Sequence, residues 1–141
     1  MNDSDRFDLA ANELTVVDPI TIEVIRNSFT SIAAQMNQNL ARSAYTPIIY
    51  EMKDCSVAIF DRYIRLVGQS SGLPVFLGTL GPAVEAVVRA FNADDMSPGD
   101  VYLLNDSYIV GSHLNDVSVL SPIFLEDKLI GFGATKAHWM D

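Results

Sequence analysis

Six apolar residues recur at steps of three or four along one stretch of this chain: Ile22, Ile25, Phe29, Ile32, Met36 and Leu40. On a 3.6-residue period they share one face, so the spacing predicts a long amphipathic helix over residues 19–44. Asp18-Pro19 marks its start. An aspartate there accepts from the free N–H groups of the first turn, and proline fits a position whose N–H has no helical partner. Thr46-Pro47 marks its end or the following turn, because the residue before a proline is disfavoured in the α region. One apolar stripe of this length needs a second layer to cover it.

The rest of the chain supplies that layer. Cys55–Phe60 is a short, apolar, partly β-branched run, Asp61-Arg62 suits a turn, and residues 63–67 return as a second strand. Gly68–Gly72 reads as a loop. Residues 75–91 read as a second helix with Val84, Val87, Val88 and Phe91 on one side, Gly81-Pro82 being its disturbance or its true start. Asp94–Gly99 is a loop with a Ser-Pro-Gly turn signal. Strands are expected at about 100–104, 116–124 and 128–136, with Glu126-Asp127 turning the last hairpin. The expected class is α+β: a long N-terminal helix and a second helix packed on a mostly antiparallel sheet. Residues 18–141 form one domain in this reading. Residues 1–17, with Asp3, Asp5, Asp8 and Glu13 against Arg6, form an acidic arm that is mobile or orders on a partner.

With 49% apolar residues among 141, the chain can bury a core. Eighteen acidic against nine basic residues give a net charge of −9. No basic stripe exists to neutralise phosphates, which argues against nucleic acid. No signal-peptide pattern opens the chain and no apolar run reads as a membrane span. A lone Cys55 permits no internal disulfide and fits a reducing cytoplasm. No phosphate-binding Gly-x-x-x-x-Gly-Lys-Ser/Thr loop occurs.

Both histidines lie in polar clusters within apolar surroundings. One cluster is Asn105-Asp106 followed by His113-Leu114-Asn115-Asp116; the other is Lys136-Ala137-His138-Trp139-Met140-Asp141. Asp116 begins a strand and His138 ends a neighbouring one. Two histidines and a carboxylate are the usual ligand types for a divalent transition metal with an open position, and Asp54, at the head of an apolar strand, is a fourth candidate. Taken alone, a His-x-x-Asp pair is equally a satisfied histidine and a turn aspartate. Asn105-Asp106 is a turn former or an orienter of a ligand imidazole. Cys55 reads as a small buried apolar residue rather than a nucleophile. Trp139 and Tyr108 read as interface aromatics before pocket lining.

These residues also carry a resemblance. Lys53-Asp54-Cys55-Ser56-Val57-Ala58-Ile59-Phe60-Asp61 resembles the Asp-Phe-Ser-Cys-Ala-type strand of the hydantoinase B family. Asn105-Asp106-Ser107-Tyr108 and Gly111-Ser112-His113-Leu114-Asn115-Asp116-Val117 resemble its Asn-Asp-Pro-Tyr…Gly-Gly-Thr-His-x-x-Asp-Val element, and Ala137-His138-Trp139-Met140-Asp141 its Ala-His-x-x-Asp element. The resemblance covers residues 18–141. The family includes hydantoinase and oxoprolinase subunits, caprolactamase and ketone carboxylase subunits. Two positions depart from the family pattern. Phe76 stands where the family often has a histidine, and Ser107 replaces a proline.

The resemblance implies a metal held by Asp54, His113, Asp116 and His138, zinc first and manganese second. A family member split after the Ala-His-x-x-Asp element resembles the small α′ subunits of acetophenone-type ketone carboxylases. That implies a metal-binding small subunit in an ATP-dependent carboxylation of a ketone (acetophenone to benzoylacetate) with bicarbonate. The implied partners are a larger hydantoinase B-like α subunit and hydantoinase A-like subunits that hold ATP and Mg2+. The alternatives are ATP-dependent hydrolysis of a cyclic amide and a non-catalytic assembly role with a structural metal. In the split-subunit reading, Asp141 lies at the interface with the larger subunit, and the unpartnered chain is aggregation-prone.

Overall fold

The computed structural model describes residues 17–110 and 113–140. The acidic arm (but for Val17), Gly111, Ser112 and Asp141 therefore lie outside the described residues, and so does the expectation for Asp141. The elements run α1 (Pro19–Ser43), α2 (Pro47–Tyr50), β1 (Cys55–Asp61), β2 (Leu66–Gln69), α3 (Pro74–Phe91), β3 (Tyr102–Leu104), α4 (Ser107–Val110), β4 (Asp116–Leu125) and β5 (Lys128–His138). The strands form one antiparallel sheet in the order β2-β1-β5-β4-β3. This is the α+β arrangement of helices on an antiparallel sheet, with two short helices, α2 and α4, that periodicity does not reveal.

α1 opens as its sequence requires. The Asp18 carboxylate accepts from the N–H groups of Ile20 at 3.1 Å and Thr21 at 2.9 Å. The Thr21 hydroxyl, then these backbone donors, hold the Asp18 carboxyl below its ordinary range. The buried seam of α1 starts later than the apolar periodicity does. Ala33 is buried, and Phe29, Met36 and Leu40 pack with Val57, Ile59, Val67 and Ile123. Ile22, Ile25 and Ile32 are exposed. The helix packs on β1 and β2 only through its later turns, so its opening turns have no sheet beneath them.

α3 covers the opposite face. Its Leu80, Ala83, Val84 and Val87 pack with Ala58, Phe60, Leu120, Phe132 and Ala134. β1 is thus buried on both sides, with Val57 and Ile59 facing α1 and Ala58 and Phe60 facing α3. That is why Val57–Phe60 is apolar throughout rather than alternating. By length and composition alone α3 is apolar enough to cross a membrane; here its apolar side is core of this sheet. Pro82 lies within α3 without ending it. The carbonyl that loses its partner there belongs to Gly78, and both residues face solvent, where water can replace the missing N–H.

Candidate metal centre

Strand register places the polar residues. Asp116 pairs with His138 across β4 and β5, and Ser118 with Lys136 one step along. Cys55 pairs with Ala137 across β1 and β5, and Ser56 with Lys136. The His138 N–H then donates to the Asp54 carbonyl at 3.1 Å, which continues the ladder past the strand end. Two polar rows therefore cross the sheet: Asp116, His138 and Asp54 at its rim, and Ser118, Lys136 and Ser56 behind them. Side chains alternate along a strand, so Lys136 and His138 share the α3 face with Phe132 and Ala134.

Short-range hydrogen bonds complete the rim. Asp116 donates its N–H to the His113 carbonyl at 3.2 Å, and its Oδ2 accepts the His113 N–H at 3.0 Å. This closed turn fixes His113 beside its own aspartate. The Trp139 N–H donates to the Asn115 carbonyl at 2.9 Å, and Asn115 Nδ2 returns to the Trp139 carbonyl at 3.2 Å. The start of β4 and the end of β5 are thereby clamped together.

The result is a cluster of His113, Asp116 and His138, whose candidate ligand atoms lie within 4.8 Å of one another. The imidazoles meet edge to face with ring centroids 5.5 Å apart. His138 Nδ1 lies 2.7 Å from Asp116 Oδ1. An ionised carboxylate only accepts, so this contact is satisfied by the tautomer with its proton on Nδ1, leaving the Nε2 lone pair available. Asp116 is fully buried, His138 half-buried and His113 exposed. The cluster thus has a fixed inner carboxylate and an open outer side, and its donors are the types that suit a divalent transition metal.

Asp54 does not join this group. Its Oδ1 is buried without a hydrogen-bond partner among the described residues. The backbone explains its placement. Lys53 has φ 57°, and the Asp54 N–H turns back to the Ile48 carbonyl at 3.0 Å, so Asp54 reaches the rim through its main chain. Asp106 serves as a turn former. Asp106 Oδ1 accepts the Tyr108 N–H at 2.9 Å, and its carbonyl accepts from Ile109 and Val110, which starts α4. The His138 imidazole is held by Asp116. Cys55 is buried, and its thiol donates to Asn37 Oδ1 at 3.3 Å. Tyr108 and Trp139 are exposed.

Lys136, the first residue of the second polar cluster, also belongs to this neighbourhood. It is fully buried, donates to Thr79 Oγ1 at 3.0 Å and has its Nζ 5.3 Å from the Phe76 ring centroid. Burial pushes the ammonium pKa down and Asp116 pulls it up. The sequence signal was positional: Lys136 sits two residues before His138, the spacing that shares a strand face.

Similar proteins share this framework. A family model described as hydantoinase B/oxoprolinase matches residues 18–141. An uncharacterised protein of Methanocaldococcus jannaschii is 39% identical over 89% of this chain and 23% of its own length. The caprolactamase subunit beta of Pseudomonas jessenii is 30% identical over 91% of this chain and 22% of its own. The chain thus spans under a quarter of each of these curated relatives. The solved structure of the ATP-dependent caprolactamase from Pseudomonas jessenii superimposes with a TM-score of 0.73 at 29% identity, over 87% of this chain and 21% of that one. Nucleotide-free acetone carboxylase superimposes with a TM-score of 0.78 at 21% identity, over 86% of this chain and 16% of that one, a likeness of fold. With its helices on an antiparallel sheet and a family match from Asp18 to the last residue, this chain belongs to the hydantoinase B/oxoprolinase family.

Proposed function

We propose that this chain carries the metal-binding element of an ATP-dependent, multi-subunit enzyme that acts on a carbonyl compound. The observation that carries the reading is the convergence of His113, Asp116 and His138 at one open rim of the sheet. The proposed ligands are those three together with Asp54, whose main chain meets His138 at the rim and whose Oδ1 has no hydrogen-bond partner among the described residues. Zinc is the first choice and manganese the second, since a mixed imidazole and carboxylate set serves either. When bound, such an ion supplies Lewis-acid polarisation of a carbonyl or enolate oxygen. The chain's own residues do the rest. Asp116 orients His138 through Nδ1, the Asn115–Trp139 clamp holds the two ligand strands in register, and the core beneath excludes water.

For the reaction, ATP-dependent ketone carboxylation with bicarbonate is the leading reading. The acetophenone type is favoured because Phe76 stands where the family often has a histidine, an apolar residue in place of a polar one. ATP and Mg2+ would sit on a hydantoinase A-like partner, beside a larger hydantoinase B-like subunit, in the cytoplasm. Cyclic-amide hydrolysis is the second reading. It is favoured by the higher identity to the superimposed caprolactamase, 29%, than to acetone carboxylase, 21%. An assay of the assembled complex separates them. Carbon from labelled bicarbonate entering an aromatic ketone only in the presence of ATP supports the first. ATP-dependent ring opening of a lactam or hydantoin, with no labelled product, supports the second. A complex that binds metal and catalyses neither leaves a structural metal.

A further inference from the structure

We propose that Lys136 makes the open side of the metal centre selective for anionic oxygen ligands, such as a carboxylate, bicarbonate, phosphate or enolate group. The inference rests on the metal reading given above and adds the class of ligand the centre accepts. Lys136 is fully buried in the row directly behind the ligand residues. It shares the α3 face with His138 two residues on. It stands diagonal to Asp116 across the β4–β5 ladder, a separation of roughly 7–8 Å between Cα atoms.

A lysine is rarely kept in a core unless something needs its charge, because desolvating an ammonium is costly. The surroundings are arranged around that charge. Thr79 Oγ1 accepts from Nζ at 3.0 Å while giving its own proton to the Phe76 carbonyl. The Phe76 ring face lies 5.3 Å from Nζ, within the range of a cation–π contact. α3 therefore fixes the ammonium in place and seals it from water. The adjacent Ser118 Oγ is buried without a hydrogen-bond partner among the described residues, so the row holds spare polar capacity.

A dication held by two neutral imidazoles and the carboxylates of Asp116 and Asp54 keeps no net charge, so an anion at its open side needs positive charge from elsewhere. A fixed ammonium behind it raises the local potential in a region of low dielectric. Two consequences of opposite sign follow. The ammonium weakens attraction for the incoming metal cation, and it strengthens attraction for an anion at the outer side of that metal. A lysine that carried no charge in this row would produce neither.

The test uses the full 141-residue chain as wild type, Lys136→Met and Lys136→Arg. Zn2+ affinity is measured by competition with a chelating dye. Inorganic phosphate binding to the Mn2+-loaded protein is measured by phosphorus relaxation. Lys136→Met is expected to bind Zn2+ about tenfold more tightly and phosphate about tenfold more weakly, the electrostatic coupling at such range being of this order or larger. Lys136→Arg is expected to restore both toward wild type. Circular dichroism and the emission of Trp139, the sole tryptophan, check that each variant is folded. If Lys136→Met matches wild type in both titrations, or weakens both together in a folded protein, the Lys136 proposal is overturned while the metal reading stands. If the wild-type chain takes up neither metal, the metal reading fails and this proposal falls with it.

Discussion

His138 Nδ1 lies 2.7 Å from Asp116 Oδ1, and the two residues are direct partners in the β4–β5 ladder. The same carboxylate receives the His113 N–H on its other oxygen at 3.0 Å. One buried side chain thus positions both histidines of the protein. Replacing Asp116 by asparagine keeps the shape and removes the charge. Its amide can also donate, so the His138 tautomer is no longer fixed. The expected outcome is a folded protein whose Zn2+ affinity falls by more than about 100-fold, because orienting partners alone are worth roughly 10–100-fold. His113→Ala should lose metal to a similar degree. Equilibrium dialysis with metal analysis checks both, and full occupancy in either variant would remove that residue from the ligand set.

Asp54 separates two roles that sequence alone merges. Its Oδ1 is buried without a hydrogen-bond partner among the described residues, a state that costs folding free energy. Asp54→Asn keeps the volume and leaves a polar atom at the same place, so the stability of the metal-free chain should stay within about 1 kcal/mol of wild type. If Asp54 also donates to the ion, the same variant should lose Zn2+ affinity. Urea unfolding of the metal-free variant, alongside a metal titration, reads the two effects independently. Unchanged metal affinity would leave Asp54 as an acidic neighbour that contributes field but no bond.

Much of this arrangement was legible because the strongest patterns were long. The 3.6-residue period located α1, and the apolar, β-branched residues of Cys55–Phe60 marked a strand, though not that both its faces are buried. Ligand residue types, with Asp116 opening one strand and His138 ending another, anticipated the cluster. Periodicity overstated the apolar stripe of α1, because Ile22 and Ile25 fit the helical pattern while no sheet lies below them. α2 and α4 span four residues each, too short for any period to show. For Lys136 the sequence showed a charge beside His138 but not its depth. Its burial is a property of register across three strands and of α3 packing above them, neither of which one strand's residues reveal.

The close approach of β1 and β5 depends on Gly131. A Cβ placed there would stand 2.2 Å from the Phe60 carbonyl oxygen, a backbone atom that cannot move aside cheaply. Gly133, two residues on, has only the Met36 Cε at 3.5 Å and the Ile123 Cδ1 at 4.0 Å near the same position. Gly131→Ala should therefore destabilise the fold by about 1–3 kcal/mol or more, the range for overpacking, whereas Gly133→Ala stays within about 1 kcal/mol. Chemical denaturation of the pair is a direct comparison. Equal midpoints would mean that β1 and β5 lie further apart than the ladder indicates.

Cys55 gives a pH signature that belongs to the core rather than to the metal. Its thiol is buried against Ile49 and Ala137 and donates to Asn37 Oδ1. Burial pushes its pKa above the ordinary 9.0, with Asp54 adding to the rise and Lys53 opposing it. A group raised in the folded state holds its proton longer there than in the unfolded chain. Its contribution to stability is therefore fully present below pH 9.0 and is lost as the pH climbs through the higher folded value. Two outcomes are expected. At pH 8 a disulfide reagent should label Cys55 slowly, at a rate that rises with urea as the chain opens, since both the thiolate and access are missing in the native state. Above pH 9, the unfolding midpoint of the wild type should fall faster with pH than that of Cys55→Ala, which has no thiol to ionise. Rapid labelling without denaturant, together with parallel pH profiles, would show that the Asn37–Cys55 contact opens in the native protein and that this edge of the core is not sealed.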